Sequence, residues 1–219
     1  NDYTGTNVLI TAGPTYEKID AVRFIGNFST GKMGYAIAEE LAARGCNVTL
    51  VSGPTNLEVH HYNINRINVT SAVEMYDAAI NCFPHCDAAI LSAAVADFRP
   101  ENVCKEKIKK SSDSQTMAIH LVQNPDILAS LGKMKTDSQR LIGFALETHD
   151  ETTNAQSKLA RKNLDFIVLN SLRDEGAGFG HDTNKVTFIY RNGDIDEQGL
   201  KTKKEVAKDI ADRLKKVLL

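Results

Sequence analysis

The sequence contains no apolar run near the roughly 18–20 residues needed to span a bilayer. Its longest near-apolar stretch, residues 88–96, is broken by Ser92. A membrane protein is therefore not expected. Neither sign of charge dominates, with 26 Lys and Arg against 28 Asp and Glu. A dedicated nucleic-acid binder normally carries a basic surplus to neutralise phosphates, so nucleic acid is not an expected partner. One small anion, which needs only a few local donors, is not excluded. The four cysteines, Cys46, Cys82, Cys86 and Cys104, do not form a disulfide framework, which favours a reducing, cytoplasmic setting. Cys82-Phe83-Pro84-His85-Cys86 resembles half a zinc site, but no second ligand pair follows, and helix-end and core packing account for it better. The opening residues, Asn1 to Gly5, lack the charged-then-apolar pattern of a signal peptide. They also lack an initiating Met, as a fragment or processed product would. No internal repeat or low-complexity linker is present, so residues 1–219 are expected to form a single domain. At 42% apolar and 25% charged residues, the chain can build a sizeable core without staples.

What is present is an alternation of short apolar runs and helical periods. Asn7-Val8-Leu9-Ile10-Thr11 is a β-branched run stopped by Ala12-Gly13-Pro14. From Lys32 to Arg44 a helix fits, because Met33, Ile37 and Leu41 recur every four residues and Gly45 ends it. Further strands are expected over 47–52, 67–70, 87–91, 117–122, 141–145 and 166–169. A turn-linked pair is expected to begin at 186–190 and pass through Arg191-Asn192-Gly193-Asp194. Ser71 with Glu74 has capping-box spacing. Asn124-Pro125-Asp126 opens a helix with Pro in its first turn, residues 152–163 form another, and a last helix carries Val206, Ile210, Leu214 and Val217 on one face. Strands alternating with helices imply an α/β fold, a mainly parallel sheet with helices on both faces.

In such sheets ligands bind outside the carboxyl ends of the strands, which singles out residues 12–34, 92–100, 147–149 and 170–180. Gly26 to Lys32 has the spacing of a phosphate-binding loop, but Met33 stands where that motif needs Ser or Thr for magnesium. The physical content survives the failed motif. Gly31 and Gly34 permit close backbone approach, the next helix offers free N–H groups and a positive dipole end, and Ser29 and Thr30 add hydroxyls. The small residues Ser92, Ala93 and Ala94 would let a ligand lie against backbone donors. Asp97 could hold Mg²⁺, or could cap a helix or pair with Arg99. Lys107, in the run Glu106-Lys107-Ile108-Lys109-Lys110 before Ser111-Ser112-Asp113-Ser114, belongs either to a solvated face or to a flap bringing cations to a polyphosphate. Lys158 and Lys162, four apart, share one helix face and are either surface residues or a second arm of the anion site. A G-x-G-x-x-G fingerprint is absent, which demotes a nicotinamide oxidoreductase.

Several blocks occur together and in order. They are Ile10-Thr11-Ala12-Gly13-Pro14-Thr15, then Asp20-x-Val22-Arg23-Phe24-Ile25-x-Asn27-x-Ser29-x-Gly31-Lys32-Met33-Gly34, then Ala93-Ala94-Val95-Ala96-Asp97-Phe98-Arg99. Glu106 to Lys110, Asn124-Pro125-Asp126-Ile127 and Gly143-Phe144-x-x-Glu147-Thr148 complete the set. Taken together they closely resemble bacterial phosphopantothenoylcysteine synthetase. Gly26, Phe28, Thr30, Ser92 and Leu146 depart from the residues common in that family. The resemblance implies a three-layer Rossmann-like fold and a ligase joining 4′-phosphopantothenate to L-cysteine in coenzyme A synthesis. It implies CTP as co-substrate, with an acyl-cytidylate formed as pyrophosphate leaves and CMP released afterwards, and Mg²⁺ as cofactor. It also implies a homodimer and a flavin-dependent phosphopantothenoylcysteine decarboxylase domain in the full-length protein. By matching position, Lys107 neutralises phosphate charge, Asn27 holds the acyl-cytidylate and Arg23 reaches phosphopantothenate from the neighbouring subunit. Ala93, Ala94 and Asp97 line the substrate site, and Asp97 also meets metal. Ser29, Gly31, Gly34, Ser92, Pro125, Asp126, Ile127, Leu128, Phe144, Lys158, Lys162 and Asn170 fall at nucleotide-binding positions. The competing reading is a catalytically silent nucleotide-binding module that only dimerises.

Overall fold

The computed structural model describes residues 2–109, 116–147, 151–171 and 181–218. The expectations for Lys110 and residues 111–115, for Thr148 and His149, and for 172–180 lie outside the described residues. Eight strands form the main sheet: β1 (Asn7–Ala12), β2 (Asn47–Ser52), β3 (Ile64–Asn68), β4 (Ala88–Leu91), β5 (Arg140–Glu147), β6 (Phe166–Ser171), β7 (Val186–Tyr190) and β8 (Ile195–Glu197). Their spatial order is 3-2-1-4-5-6-7-8. The first six pair in parallel, and β7 and β8 extend the sheet antiparallel. At the centre Val8 sits between Val48 and Ala88.

Five helices cover it: α1 (Lys32–Ala43), α2 (Ala72–Cys82), α3 (Ile127–Met134), α4 (Glu151–Arg161) and α5 (Lys203–Leu218). Because successive strand residues point to opposite faces, β1 serves two cores. Val8 and Ile10 pack with Ile37 and Leu41 of α1 and with Ile210 and Leu214 of α5. Leu9 packs with Met75 of α2, Leu131 of α3 and Leu159 of α4. Helices therefore lie on both faces, as the alternation implied. Val206, Ile210 and Leu214 are buried, while Val217 is only partly so.

Three boundaries differ from expectation. The third strand runs from Ile64 to Asn68, not over 67–70, because Thr70 and Ser71 serve the cap of α2. The Thr70 N–H donates to Glu74 Oε2 at 2.6 Å, and Ser71 Oγ accepts from the Glu74 N–H at 3.2 Å. Of the run 117–122, only Leu121 and Val122 fall in a strand, Leu121–Gln123, which forms a small hairpin with Phe98–Pro100. Pro125 lies outside α3, whose cap is Asp126, accepting from the Ala129 N–H at 2.9 Å. Cys86 is buried, its thiol pushed up to about 11 chiefly by burial, and Cys82 lies partly buried at the end of α2, in keeping with packing roles.

Candidate functional site

α1, which follows β1, and α3, which follows β4, pack on opposite faces, so the crevice at the carboxyl ends of these neighbouring strands is the topological switch point. After β1 the chain turns at Gly13 (φ 80°) and builds a hairpin, Glu17–Lys18 with Phe24–Ile25, before reaching α1. That hairpin explains the long connection. Asp20, at its tip, is 1% exposed; it receives the Arg23 guanidinium at 2.5 Å and the N–H groups of Val22, Arg23 and Ile108. Foremost the Arg23 bond, then those N–H groups, hold its carboxyl far below the usual carboxylate range. The clamp's contribution to stability is thus complete above the pKa of an unfolded aspartate, and it fades only as the pH falls through the depressed folded value. Arg23 also donates to the Ile108 carbonyl at 2.9 Å, tying the hairpin to the segment that carries Lys107.

Two cavities open at the crevice. The first, about 170 Å³, is lined by Ser29 to Met33 at the start of α1, by Ser92, Ala93 and Ala94, and by Phe144, Asn170, Asn184 and Lys203. The second, about 210 Å³, is lined by Asp97, Pro125, Asp126, Ile127, Leu128, Lys158 and Lys162. Ala93 and Phe144 border both. At the first, α1 begins on Gly31 (φ 80°), with no side-chain cap bond and no acidic residue in its first turn. A β-carbon on Gly31 would lie 3.3 Å from the Gly13 backbone, so glycine is needed here for conformation and for closeness. The helix's positive end therefore faces the cavity uncompensated by side chains, a ready anion site. At the second, Lys162 pairs with Asp126 at 2.6 Å and Lys158 donates to the Phe144 carbonyl at 3.1 Å. Burial opposes ionisation of Asp126, but Lys162 and the Ala129 N–H hold its carboxyl below its ordinary value.

The family described as DNA/pantothenate metabolism flavoprotein, C-terminal domain, matches residues 3–218. The chain belongs to this family. It is 44% identical over 98% of its length to the coenzyme A biosynthesis bifunctional protein CoaBC of Vibrio parahaemolyticus, of which it covers 53%. It is 57% identical over 94% of its length to a protein of an unknown prokaryotic organism named cysteine/cysteine sulfinic acid decarboxylase, of which it covers 57%. The chain thus spans about half the length of these curated relatives. A solved structure of the C-terminal domain of a CoaBC protein superposes with a TM-score of 0.84 at 43% identity, covering 100% of this chain and 98% of that one.

Within this flavoprotein-family domain, the expected residues divide into groups. Ser29, Gly31, Ser92, Ala93, Ala94, Phe144 and Asn170 meet at the first cavity; Asp97, Pro125 to Leu128, Lys158 and Lys162 meet at the second. Asn27 stands beside the first, its Nδ2 donating to the Ala94 carbonyl at 2.6 Å and its Oδ1 accepting from the Ser29 N–H at 3.0 Å. Arg23 and Lys107 line neither cavity.

Two expectations need correction. The backbone donors after β4 are not open to a ligand: the N–H groups of Ser92, Ala93, Ala94 and Ala96 bond Thr11, Gly13 and Thr15. Arg99 does not pair with Asp97; it donates to the Gln123 carbonyl and Asn124 Oδ1. Gly34 is the close approach that was expected, made against the sheet: a β-carbon there would lie 2.5 Å from Ala12 Cβ and 2.7 Å from Ser92 Oγ. Gly34→Ala is expected to cost roughly 1–3 kcal/mol by overpacking, read as a lower denaturant midpoint with unchanged slope; an unchanged midpoint would show that the contact with Ala12 and Ser92 yields to a methyl group.

Sequence reasoning missed Asn184 and Lys203 in the first cavity, and Lys32, named there only within the failed phosphate-loop spacing, lines it too. Lys203 sits in a Lys-rich stretch that reads as a solvated helix start, and nothing local signals that it is buried. Among the described residues no group of three or more His, Cys, Asp or Glu side chains is placed to hold a metal ion.

Proposed function

We propose that the chain is a CTP-dependent ligase that joins 4′-phosphopantothenate to L-cysteine. A carboxylate is a poor electrophile. Its oxygen therefore attacks the α-phosphorus of CTP, pyrophosphate leaves, and the acyl-cytidylate that results is opened by the cysteine amine as CMP departs. No enzyme nucleophile is required; the protein positions the reactants and stabilises developing charge.

The observation that carries this reading is the pair of cavities sharing Ala93 and Phe144, one polar with lysines and one at an uncapped helix start. A nucleotide extended across that shared wall would place its nucleoside against Pro125 to Leu128 and its phosphates toward Ser29 and Gly31. The acid would then lie by Asn27, Ala93, Ala94 and Asp97. Asp97 suits Mg²⁺ as a single carboxylate, with phosphate oxygens and water completing the shell; the ion's charge would shield the phosphates.

A homodimer belongs to the same proposal. Val22, Phe24 and Phe28, around Arg23, are 62%, 48% and 90% exposed, an apolar surface that a second copy would cover. Arg23 would reach the neighbour's acid from there. The relatives' remaining length agrees with a decarboxylase domain beside this one in a full-length protein of the cytoplasm. Among the described residues no helix is long and apolar enough to cross a membrane.

The relative named for decarboxylation favours a second reading, a silent nucleotide-binding module that dimerises beside a decarboxylase. Incubation with phosphopantothenate, cysteine, Mg²⁺ and either CTP or ATP separates the two. The ligase should yield CMP, pyrophosphate and the amide with CTP; nucleotide binding with no turnover would establish the silent module.

A further inference from the structure

Asp97, where the proposed reading puts the cation of the nucleotide, does not hold its own place. It is exposed, and no hydrogen bond or ion pair among the described residues restrains its carboxylate. A carboxylate that receives a cation needs its direction fixed beforehand, and groups one step further out usually do this. Here the fixing falls to the backbone on either side.

One residue grips both sides. Asn124, buried, donates its Nδ2 to the Ala96 carbonyl at 2.8 Å and its backbone N–H to the Asp97 carbonyl at 2.8 Å. These carbonyls belong to the two peptide units that flank the Asp97 α-carbon. The amide of Asn124 is locked in turn. Arg99 Nη1 donates to its Oδ1 at 3.0 Å and to the Gln123 carbonyl at 2.9 Å. A guanidinium only donates and a carbonyl only accepts, so the amide has one orientation that satisfies both ends. Buried Thr15 completes the hold, its Oγ1 accepting from the Ala96 N–H at 2.9 Å. Asn124 also leads directly into Pro125, and it lines the second cavity together with Asp97 and Pro125 to Leu128. The hairpin itself does not need this clamp, since the pairing of Phe98 with Gln123 already closes it.

We infer that Asn124, locked by Arg99, is a positioning residue that aims Asp97 at a divalent cation carried by the nucleoside triphosphate. It acts through Asp97. The nucleoside wall is held by other groups, because Asp126 caps α3 and Ile127 and Leu128 are buried in the core. The inference rests on the proposed placement of CTP and Mg²⁺ at this crevice.

Calorimetry tests it with three probes, CTP with Mg²⁺, CTP with a chelator, and cytidine. The chains compared are the unchanged one, Asn124→Ala, Asp97→Asn and the double variant. Mg²⁺ should tighten CTP on the unchanged chain. Asn124→Ala should weaken CTP with Mg²⁺ by roughly 10- to 100-fold, the usual loss when the outer partner of a metal ligand is removed. Cytidine, and CTP with chelator, should bind as before. In the Asp97→Asn background the same substitution should cost nothing further, a coupling that general loosening of the loop would not give. Arg99→Met should show the same selectivity with a smaller loss, and Arg99→Lys, which keeps a donor for Oδ1, should recover most of it. Equal weakening of all three probes would make Asn124 a staple of the pocket wall and overturn the inference. So would an undiminished loss in the Asp97→Asn background, no loss at all, or an unchanged chain that binds CTP no better with Mg²⁺. Should Asn124→Ala not fold, the Arg99 variants give the same readout. Amide formation by the unchanged chain is scored separately. Its absence with Mg²⁺-dependent binding intact would remove the ligase reading and leave the clamp, and amide formation without that dependence would do the reverse.

Discussion

Lys107→Gln is expected to lower pyrophosphate release from CTP by roughly 10²–10³-fold, the usual loss when one donor to developing charge is removed. The structure makes this substitution clean. The Lys107 backbone lies between two anchors to the hairpin: the Cys104 N–H donates to the Ile19 carbonyl at 3.0 Å, and Ile108 bonds Asp20 and Arg23. Its side chain is exposed and lines neither cavity. Glutamine keeps most of the length and polarity and leaves both anchors intact, so the thermal midpoint should not move. Lys107 stands off both cavities, so on the proposed function it would act either at its own crevice, by residues 105–109 closing over it, or at the crevice of a second copy. Mixing Lys107→Gln with Arg23→Ala protomers would distinguish these: with Arg23 reaching the neighbour's site, a mixed dimer regains activity if Lys107 serves its own crevice and stays inactive if Lys107 also serves the neighbour's. Pyrophosphate released at the ordinary rate by Lys107→Gln alone would remove Lys107 from the chemistry.

The sheet was legible because parallel strands buried on both faces leave continuous apolar runs: Asn7 to Thr11, Asn47 to Ser52 and Phe166 to Leu169 all lie within strands. β3 was misplaced because it is an edge strand, where Asn65 and Asn68 face solvent and only pairing to β2 fixes the register. The N-terminal half of the site was legible because its residues are close in sequence, Asn27 to Gly31 before a helix and Ser92 to Asp97 after a strand. Lys203 and Asn184 were not. They reach the first cavity through the pairing of Thr183–Asn184 with Lys201–Thr202 ahead of α5, a long-range closure that no local pattern encodes, and the run Lys201-Thr202-Lys203-Lys204 hides a buried cation among less buried residues. Gly34 was legible as a tight position but not as to what it is tight against, because glycine spacing marks closeness and leaves its partner open.

Asn27→Asp should divide the reaction at its midpoint, forming pyrophosphate and bound acyl-cytidylate while amide product falls by roughly 10²–10³-fold. The side chain has two distinct halves. Its Oδ1 accepts from the Ser29 N–H at 3.0 Å, and aspartate preserves that acceptor, so the turn into α1 survives. Its Nδ2 donates to the Ala94 carbonyl at 2.6 Å, and aspartate puts an oxygen there instead, two acceptors facing each other on the cavity wall. Ala94 O keeps the Thr15 N–H at 3.3 Å, so it is not left without a donor. The perturbation is therefore local and aimed at the acid's side of the site. In the second step of the proposed reaction negative charge would grow on the acyl oxygen as the amine attacks, and a lost amide donor plus a new carboxylate charge would both oppose it. The first step of the proposed reaction would develop its charge on the departing pyrophosphate and so be largely spared. Quenched-flow measurement of pyrophosphate, acyl-cytidylate and amide decides the matter. Equal loss of pyrophosphate and amide would make Asn27 a loop staple that holds Ala94 to Ser29, and amide at the ordinary rate would leave it without a part in either step.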